Sequence, residues 1–241
     1  MRCLTSHDGG GRSRAGPPRL ADRVGRAIGA LSCLSASAAI VVCGSALTGV
    51  CGQVCAAGGP IGTDHRVNDD NNGIWQRRNQ LALQDGTLLL VVAGALWEGD
   101  DTRVGHTFWQ SVDSVLLGSV TAEGMKYVFS RSRPSQTDDP NQWFQGHGHK
   151  SFPSGEVMEI TTAITPFVFE YVREHPAVWA LELLPAYDAI ARVKVRAHWQ
   201  SDVLASFVIG TAIGAYAHSR ISAISVGVLP HGVTVGWKTS F

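Results

Sequence analysis

Between Leu81 and His218 apolar residues recur at the spacing of one helix face, and Pro or Gly interrupts the pattern between stretches. That patterning commits this part of the chain to helices. Leu81 to Trp97 contains Leu88-Leu89-Leu90-Val91-Val92, too short a run for a comfortable membrane span, and is expected to form a buried core helix. Thr107 to Ser130 carries Phe108, Val112, Val115, Leu116, Val120, Tyr127 and Val128 on helical spacing, and Ser132 with Pro134 ends it. Ser154 to Val172 is expected as the next helix, with Ser154 as its N-cap and Pro166 as a kink. Pro176 to Val195 reads as mostly helical with a break near Pro185, and His198 to His218 has a strongly apolar face.

The flanks differ in kind. No charged residue occurs from Ala27 to Thr63, and Arg12, Arg14, Arg19, Arg23 and Arg26 precede that stretch. A basic region, an apolar one and then small residues predict an N-terminal signal peptide or membrane anchor over residues 1–56, and hence export. Residues 57–79 read as a linker, with Asp69-Asp70-Asn71-Asn72-Gly73 as a solvated loop that lacks calcium-ligand spacing. Residues 80–220 form the helical domain. In 221–241 alternation about Pro230-His231-Gly232 predicts a small β-hairpin.

Charge and cysteine usage narrow the chemistry. Net charge is zero, but residues 1–56 carry six Arg against Asp8 and Asp22, a net of +4, so the remainder is −4 and unsuited to nucleic acid. All five cysteines lie at or before Cys55. The helical domain therefore has no disulfide and no cysteine-based metal site.

Three blocks carry chemistry. Lys126 and Arg133-Pro134 put two cations about two helical turns apart. Pro153-Ser154-Gly155-Glu156 opens a helix, where free backbone N–H groups and the helix dipole favour anions and glycine lets a ligand approach. Arg192, His198 and Asp202 offer a bidentate oxyanion clamp, a nucleophilic ring nitrogen and a carboxylate to hold the other one. Singly, each block has an ordinary structural meaning. Their order and joint spacing resemble the three-part signature of the type 2 phosphatidic acid phosphatase / vanadium haloperoxidase superfamily, in its branch of bacterial acid phosphatases.

The resemblance covers roughly residues 86–219 and implies an all-α helical bundle in which the blocks converge on one phosphate-sized pocket. It implies phosphate-ester hydrolysis without metal or other cofactor. Lys126, Arg133 and Arg192 would hold phosphoryl oxygens, helped by Ser154 and Gly155. His198 would attack phosphorus and become phosphohistidine, with Asp202 orienting it. Two positions depart from the family: Ala191 stands where a Ser is usual, and Glu156 stands where the family has the His that protonates the leaving oxygen. Glu156 could replace that acid only as a neutral carboxyl; His147 and His149 are alternative acids in the preceding loop.

The expected function is thus a phosphatase acting on a phosphorylated small molecule or a lipid (pyro)phosphate, periplasmic or anchored to the membrane. The alternative is a catalytically degenerate phosphate- or lipid-binding protein, for which Glu156 is the main support. A vanadate-dependent haloperoxidase fits less well, because it too needs a His at the position that Glu156 occupies. Glu159, Glu170, Arg173 and Glu182 interrupt the later helices and favour a soluble or singly anchored domain.

Overall fold

A computed structural model describes residues 58–220, together with the backbone of 224–229 and 232–237. The expected signal or anchor lies outside the described residues. Among these residues five α-helices make up the domain: α1 (Arg77–Glu98), α2 (Arg103–Phe129), α3 (Gly155–Tyr171), α4 (Leu183–Lys194) and α5 (Gln200–His218). Short 3₁₀ segments span Gly73–Trp75 and Pro176–Glu182, so the break expected near Pro185 falls just before α4 and Pro185 sits in its first turn. The architecture is all-α. The backbone of Ile224–Leu229 pairs antiparallel with Gly232–Trp237, Ile224 opposite Trp237 and Leu229 opposite Gly232.

α3 is the central helix. It packs on α2 and α5 and also touches α1 and α4. Val157, Met158, Ile160, Ala163 and Ile164 are buried on it, and so are three threonines that satisfy their hydroxyls on its own carbonyls. Thr161 Oγ1 donates to Val157 O at 2.6 Å and Thr165 Oγ1 to Thr161 O at 2.7 Å. Those threonines set the approach of α5. A Cβ at Gly214 would lie 2.4 Å from Thr165 Cβ, and one at Gly210 2.9 Å from Thr161 Cβ, so only glycine admits this crossing.

Two expectations are corrected. α1 is not a buried core helix. Only Gln80, Thr87, Val91 and Ala95 are buried along it, whereas Leu89 is 70% and Trp97 89% exposed. An uninterrupted apolar run surrounds a helix on all sides, and its neighbours cover one stripe. At 22 residues α1 is long and apolar enough to cross a membrane. The exposed apolar surface continues onto α2 at Leu116, Val120, Tyr127 and Val128.

The stretch before α1 is not a loose linker. Gly58 and Asp64 exchange backbone hydrogen bonds at 2.8 and 2.9 Å, and Asp64 is fully buried. Gln200 Oε1 accepts from His65 N and its Nε2 donates to His65 O, Arg196 Nε donates to Val67 O, and Asp70 N donates to Lys194 O. An arm of residues 58–70 is therefore docked on the turn between α4 and α5 and on the start of α5. The acidic stretch is the loop expected: Asn71 Oδ1 accepts from Arg77 N at the head of α1.

Candidate active site

The first block does not stay on one helix face. α2 ends at Phe129 because Ser130 turns into the left-handed region at φ 38°. Lys126 is in the last helical turn, while Arg133 projects from the following loop and donates to Lys150 O at 3.3 Å. The turn brings Arg131, absent from the sequence expectation, fully into the core.

The second block begins α3 as expected, with Ser154 in the N-cap position, but its hydroxyl caps nothing. Ser154 Oγ is buried without a partner among the described residues, and so is Arg192 Nε. Two buried, unpaired donors beside a helix N-terminus suit an oxyanion. Lys126 completes this corner: a Cβ on Gly155 would lie 2.7 Å from Lys126 Nζ. Lys126 Nζ also donates to Glu123 Oε1 at 2.6 Å, which holds the Glu123 carboxyl below its usual range.

In the third block, His198 lies just ahead of α5 and Asp202 in its first turn. The two are not hydrogen-bonded, contrary to the expected direct pairing. His198 Nδ1 is 2.5 Å from Ser151 O. A carbonyl only accepts, so Nδ1 carries the proton and Nε2 has the free lone pair. Asp202 instead accepts from Ser151 Oγ at 2.5 Å, from Trp199 N at 3.0 Å and from Arg131 Nη1. Its influence on the ring passes through Ser151. Burial pushes the Asp202 carboxyl up, and Arg131, Ser151 and the Trp199 N–H oppose that.

Burial, then Arg192 and Arg133, and more weakly Lys126, hold the His198 ring well below the ordinary imidazole range, against the raising effect of the Ser151 carbonyl. The three cations expected to bind phosphoryl oxygens thus all act on one neutral ring. Burial also lowers Arg133 and Arg192 from the usual guanidinium value.

Glu156 has partners that local sequence did not reveal. Arg77, at the head of α1, donates Nη1 to Glu156 Oε2 at 2.5 Å and Nη2 to Oε1 at 2.7 Å. Arg192 Nη1 lies 3.4 Å from Oε1 and also donates to Gln80 Oε1 at 3.0 Å. Both carboxylate oxygens accept from cations, which is the arrangement of an ion pair and leaves no proton aimed at a leaving group. The general-acid role expected for Glu156 is not what this geometry supports.

The two loop histidines differ. His149 Nδ1 is 2.9 Å from Ser132 Oγ, whereas exposed His147 packs edge-on to Tyr127. Trp143 and Phe144 differ as well: Trp143 packs against Phe129 and Phe152 under Arg131, while Phe144 is exposed. Asp188, four residues before Arg192 on α4, is fully buried with neither oxygen partnered among the described residues. Burial pushes it up to about 7, Glu156 adds to the rise, and Arg192 and Arg77 oppose it.

A neutral histidine among cations, beside a helix N-terminus in a helical domain, is an arrangement suited to a phosphate. The PAP2 superfamily model matches residues 108–224, the stretch that holds all three blocks. That stretch is a domain of the type 2 phosphatidic acid phosphatase superfamily, whose members generally hydrolyse phosphate esters. No curated protein and no solved structure gives a significant match to the chain.

Proposed function

We propose that the protein is a metal-independent phosphatase working through a phosphohistidine. The observation that carries this reading is the 2.5 Å contact of His198 Nδ1 with Ser151 O, which leaves Nε2 as the nucleophile. Nε2 attacks phosphorus, the P–O ester bond breaks, and the leaving oxygen takes a proton. Water then attacks the phosphohistidine, releasing phosphate and restoring the neutral ring. Lys126, Arg133, Arg192, the Ser154 hydroxyl and the Gly155 N–H stabilise the equatorial oxygens. Arg77, once parted from Glu156, is a fourth cation within reach of the same anion.

With Glu156 engaged by Arg77, the leaving oxygen is protonated by water or by His149. General-acid help is worth roughly 10²–10⁴-fold, so such an enzyme favours esters with good leaving groups, diphosphates among them. The apolar surface of α1 and α2 runs to Tyr127 and Val128, next to Lys126. This supports lipid-linked phosphates as substrates and association with a membrane after export. Of the charges that argued against membrane contact, Glu159 is held by Gln84 and Ser119 and Glu170 pairs with Arg103 at the surface, while Arg173 is exposed.

The second reading is a phosphate- or lipid-binding protein with little turnover. It is favoured by the same bidentate pair, which puts a built-in carboxylate among the cations. Turnover of p-nitrophenyl phosphate in EDTA, with acid-quenched trapping of labelled phosphohistidine, separates the two. The enzyme shows both signals, and His198→Ala abolishes both. Phosphate binding without either signal favours the second reading.

A further inference from the structure

The arm before α1 does more than cover a surface. Asp64 Oδ1 accepts from Ser201 N at 2.7 Å, and its Oδ2 accepts from Ser201 Oγ and from Arg131 Nη2, each at 2.6 Å. Arg131 Nη1 donates to Ser201 Oγ at 2.8 Å and to Asp202 Oδ1. Arg131 also donates to Pro140 O and lies over the Trp143 ring at 4.3 Å and near that of Trp199 at 5.6 Å. Asp64, Arg131 and Asp202 are all fully buried.

The chain of contacts leads to the nucleophile. Asp202 holds Ser151 Oγ, Ser151 N donates to Arg131 O, and Ser151 O receives the His198 Nδ1–H. A guanidinium with one carboxylate on Nη1 and another on Nη2 has one orientation. Nη2 and Nε keep the Pro140 carbonyl, but with the charge of Asp64 gone Asp202 is the one carboxylate left to the guanidinium among the described residues, and it is drawn toward Arg131 and off Ser151. Two buried carboxylates on one guanidinium also leave a net negative charge behind Ser151. That charge favours the positive ring formed when Nε2 gains phosphorus and Nδ1 keeps its proton.

We propose that Asp64 is a positioning residue for His198, acting through Arg131, Asp202 and Ser151. The proposal rests on His198 being the nucleophile, and its test separates the two ideas. The full chain is compared with Asp64→Asn, which keeps the shape and removes the charge. Ser201→Ala, which deletes the hydroxyl shared by Asp64 and Arg131, serves if Asp64→Asn folds poorly. Arg66→Ala, which breaks the exposed Arg66–Asp138 pair of the same arm, is the control for docking alone.

For Asp64→Asn, kcat on p-nitrophenyl phosphate is expected to fall on the order of 100-fold, as for a small misplacement of a reacting group. KM and inhibition by orthophosphate stay within about twofold, because the anion-binding donors are untouched. Ser201→Ala shows a smaller fall of the same kind, and Arg66→Ala shows none. The ¹⁵N-histidine spectrum reads the ring directly: His198 is a single Nδ1–H tautomer in the parent and a mixture in Asp64→Asn. Unchanged kcat together with an unchanged ring spectrum overturns the proposal, as does an equal loss of kcat in Arg66→Ala. If the parent has no turnover, the phosphatase reading falls, and the ring spectrum alone decides the role of Asp64.

Discussion

Arg77 and Glu156 meet end to end, two N–H groups on two carboxylate oxygens at 2.5 and 2.7 Å, across the interface of α1 and α3. The pair joins Glu156, the residue expected to depart from the family pattern, to a cation that the local motifs do not include. An anion among the cations proposed to bind phosphate raises the cost of binding a second anion, and Arg77 balances it. Glu156→Gln removes the charge, keeps the shape and loosens Arg77. Orthophosphate inhibition should then tighten about fivefold, ~1 kcal/mol, while turnover of p-nitrophenyl phosphate stays within about threefold. Loss of turnover to the level of His198→Ala would return Glu156 to the role of acid.

Glu156→His separates leaving-group chemistry from anion binding. An imidazole at the head of α3 can give a proton where the paired carboxylate cannot. The gain should depend on the ester: about 10-fold or more for an alkyl phosphate over any gain for p-nitrophenyl phosphate, whose phenolate needs little help. Equal gains for both would mean that the introduced imidazole acts by charge alone.

Gly155→Ala tests how closely the first two blocks meet. The added Cβ would lie 2.7 Å from Lys126 Nζ, and the far end of a lysine can move aside. The expected cost is in binding: KM for p-nitrophenyl phosphate rises roughly five- to tenfold, about 1–1.4 kcal/mol. The melting temperature changes by no more than about 2 °C, as for a loss below 1 kcal/mol. A fall in kcat with KM unchanged would put Lys126 elsewhere.

The helices were legible because an apolar stripe and its Pro and Gly interruptions are local signals, and the three blocks were legible because their spacing is fixed along the chain. The fate of α1 was not. Leu88 to Val92 says that the helix is apolar, and only the number of neighbours says how much of it they cover. The partners of the site were hidden for another reason: Arg77 and Glu156 are 79 residues apart, Asp64 and Arg131 67, and no local period connects such pairs. The holder of the His198 ring is a backbone carbonyl, a group every residue has. Helical spacing made Asp202 look like its partner, but His198 lies outside the helix that spacing assumed.

Two buried groups give stability opposite pH dependences. His198 is held well below 6.5, so the unfolded chain binds the extra proton first, and stability is lost as pH falls below the unfolded value. Asp188 rises from 3.8 to about 7, so the folded protein keeps a proton that the unfolded one releases, and stability falls as pH rises across that window. Asp188→Asn removes the second effect alone. Its melting temperature relative to the parent should be higher at pH 8 than at pH 5 by a few degrees, about 1–3 kcal/mol. The acid limb of kcat/KM for the parent should lie below the ordinary imidazole pKa of about 6.5, because the neutral ring persists there.

The exposed face of α1 makes the last prediction. Leu90 is 66% and Trp97 89% exposed, and seven residues put them on one stripe. Leaving two such side chains in water is costly, and moving them into hydrocarbon yields about 1.5–3 kcal/mol each. The protein should therefore sediment with phosphatidylcholine vesicles, and brominated lipid should quench part of its tryptophan emission. Trp97→Phe should remove most of that quenching. Leu90→Glu combined with Trp97→Glu should weaken vesicle binding on the order of 100-fold, at least ~3 kcal/mol of partitioning. Turnover of p-nitrophenyl phosphate in solution should not change, since neither side chain contacts the site. Undiminished sedimentation of the double variant would mean that another surface meets the lipid.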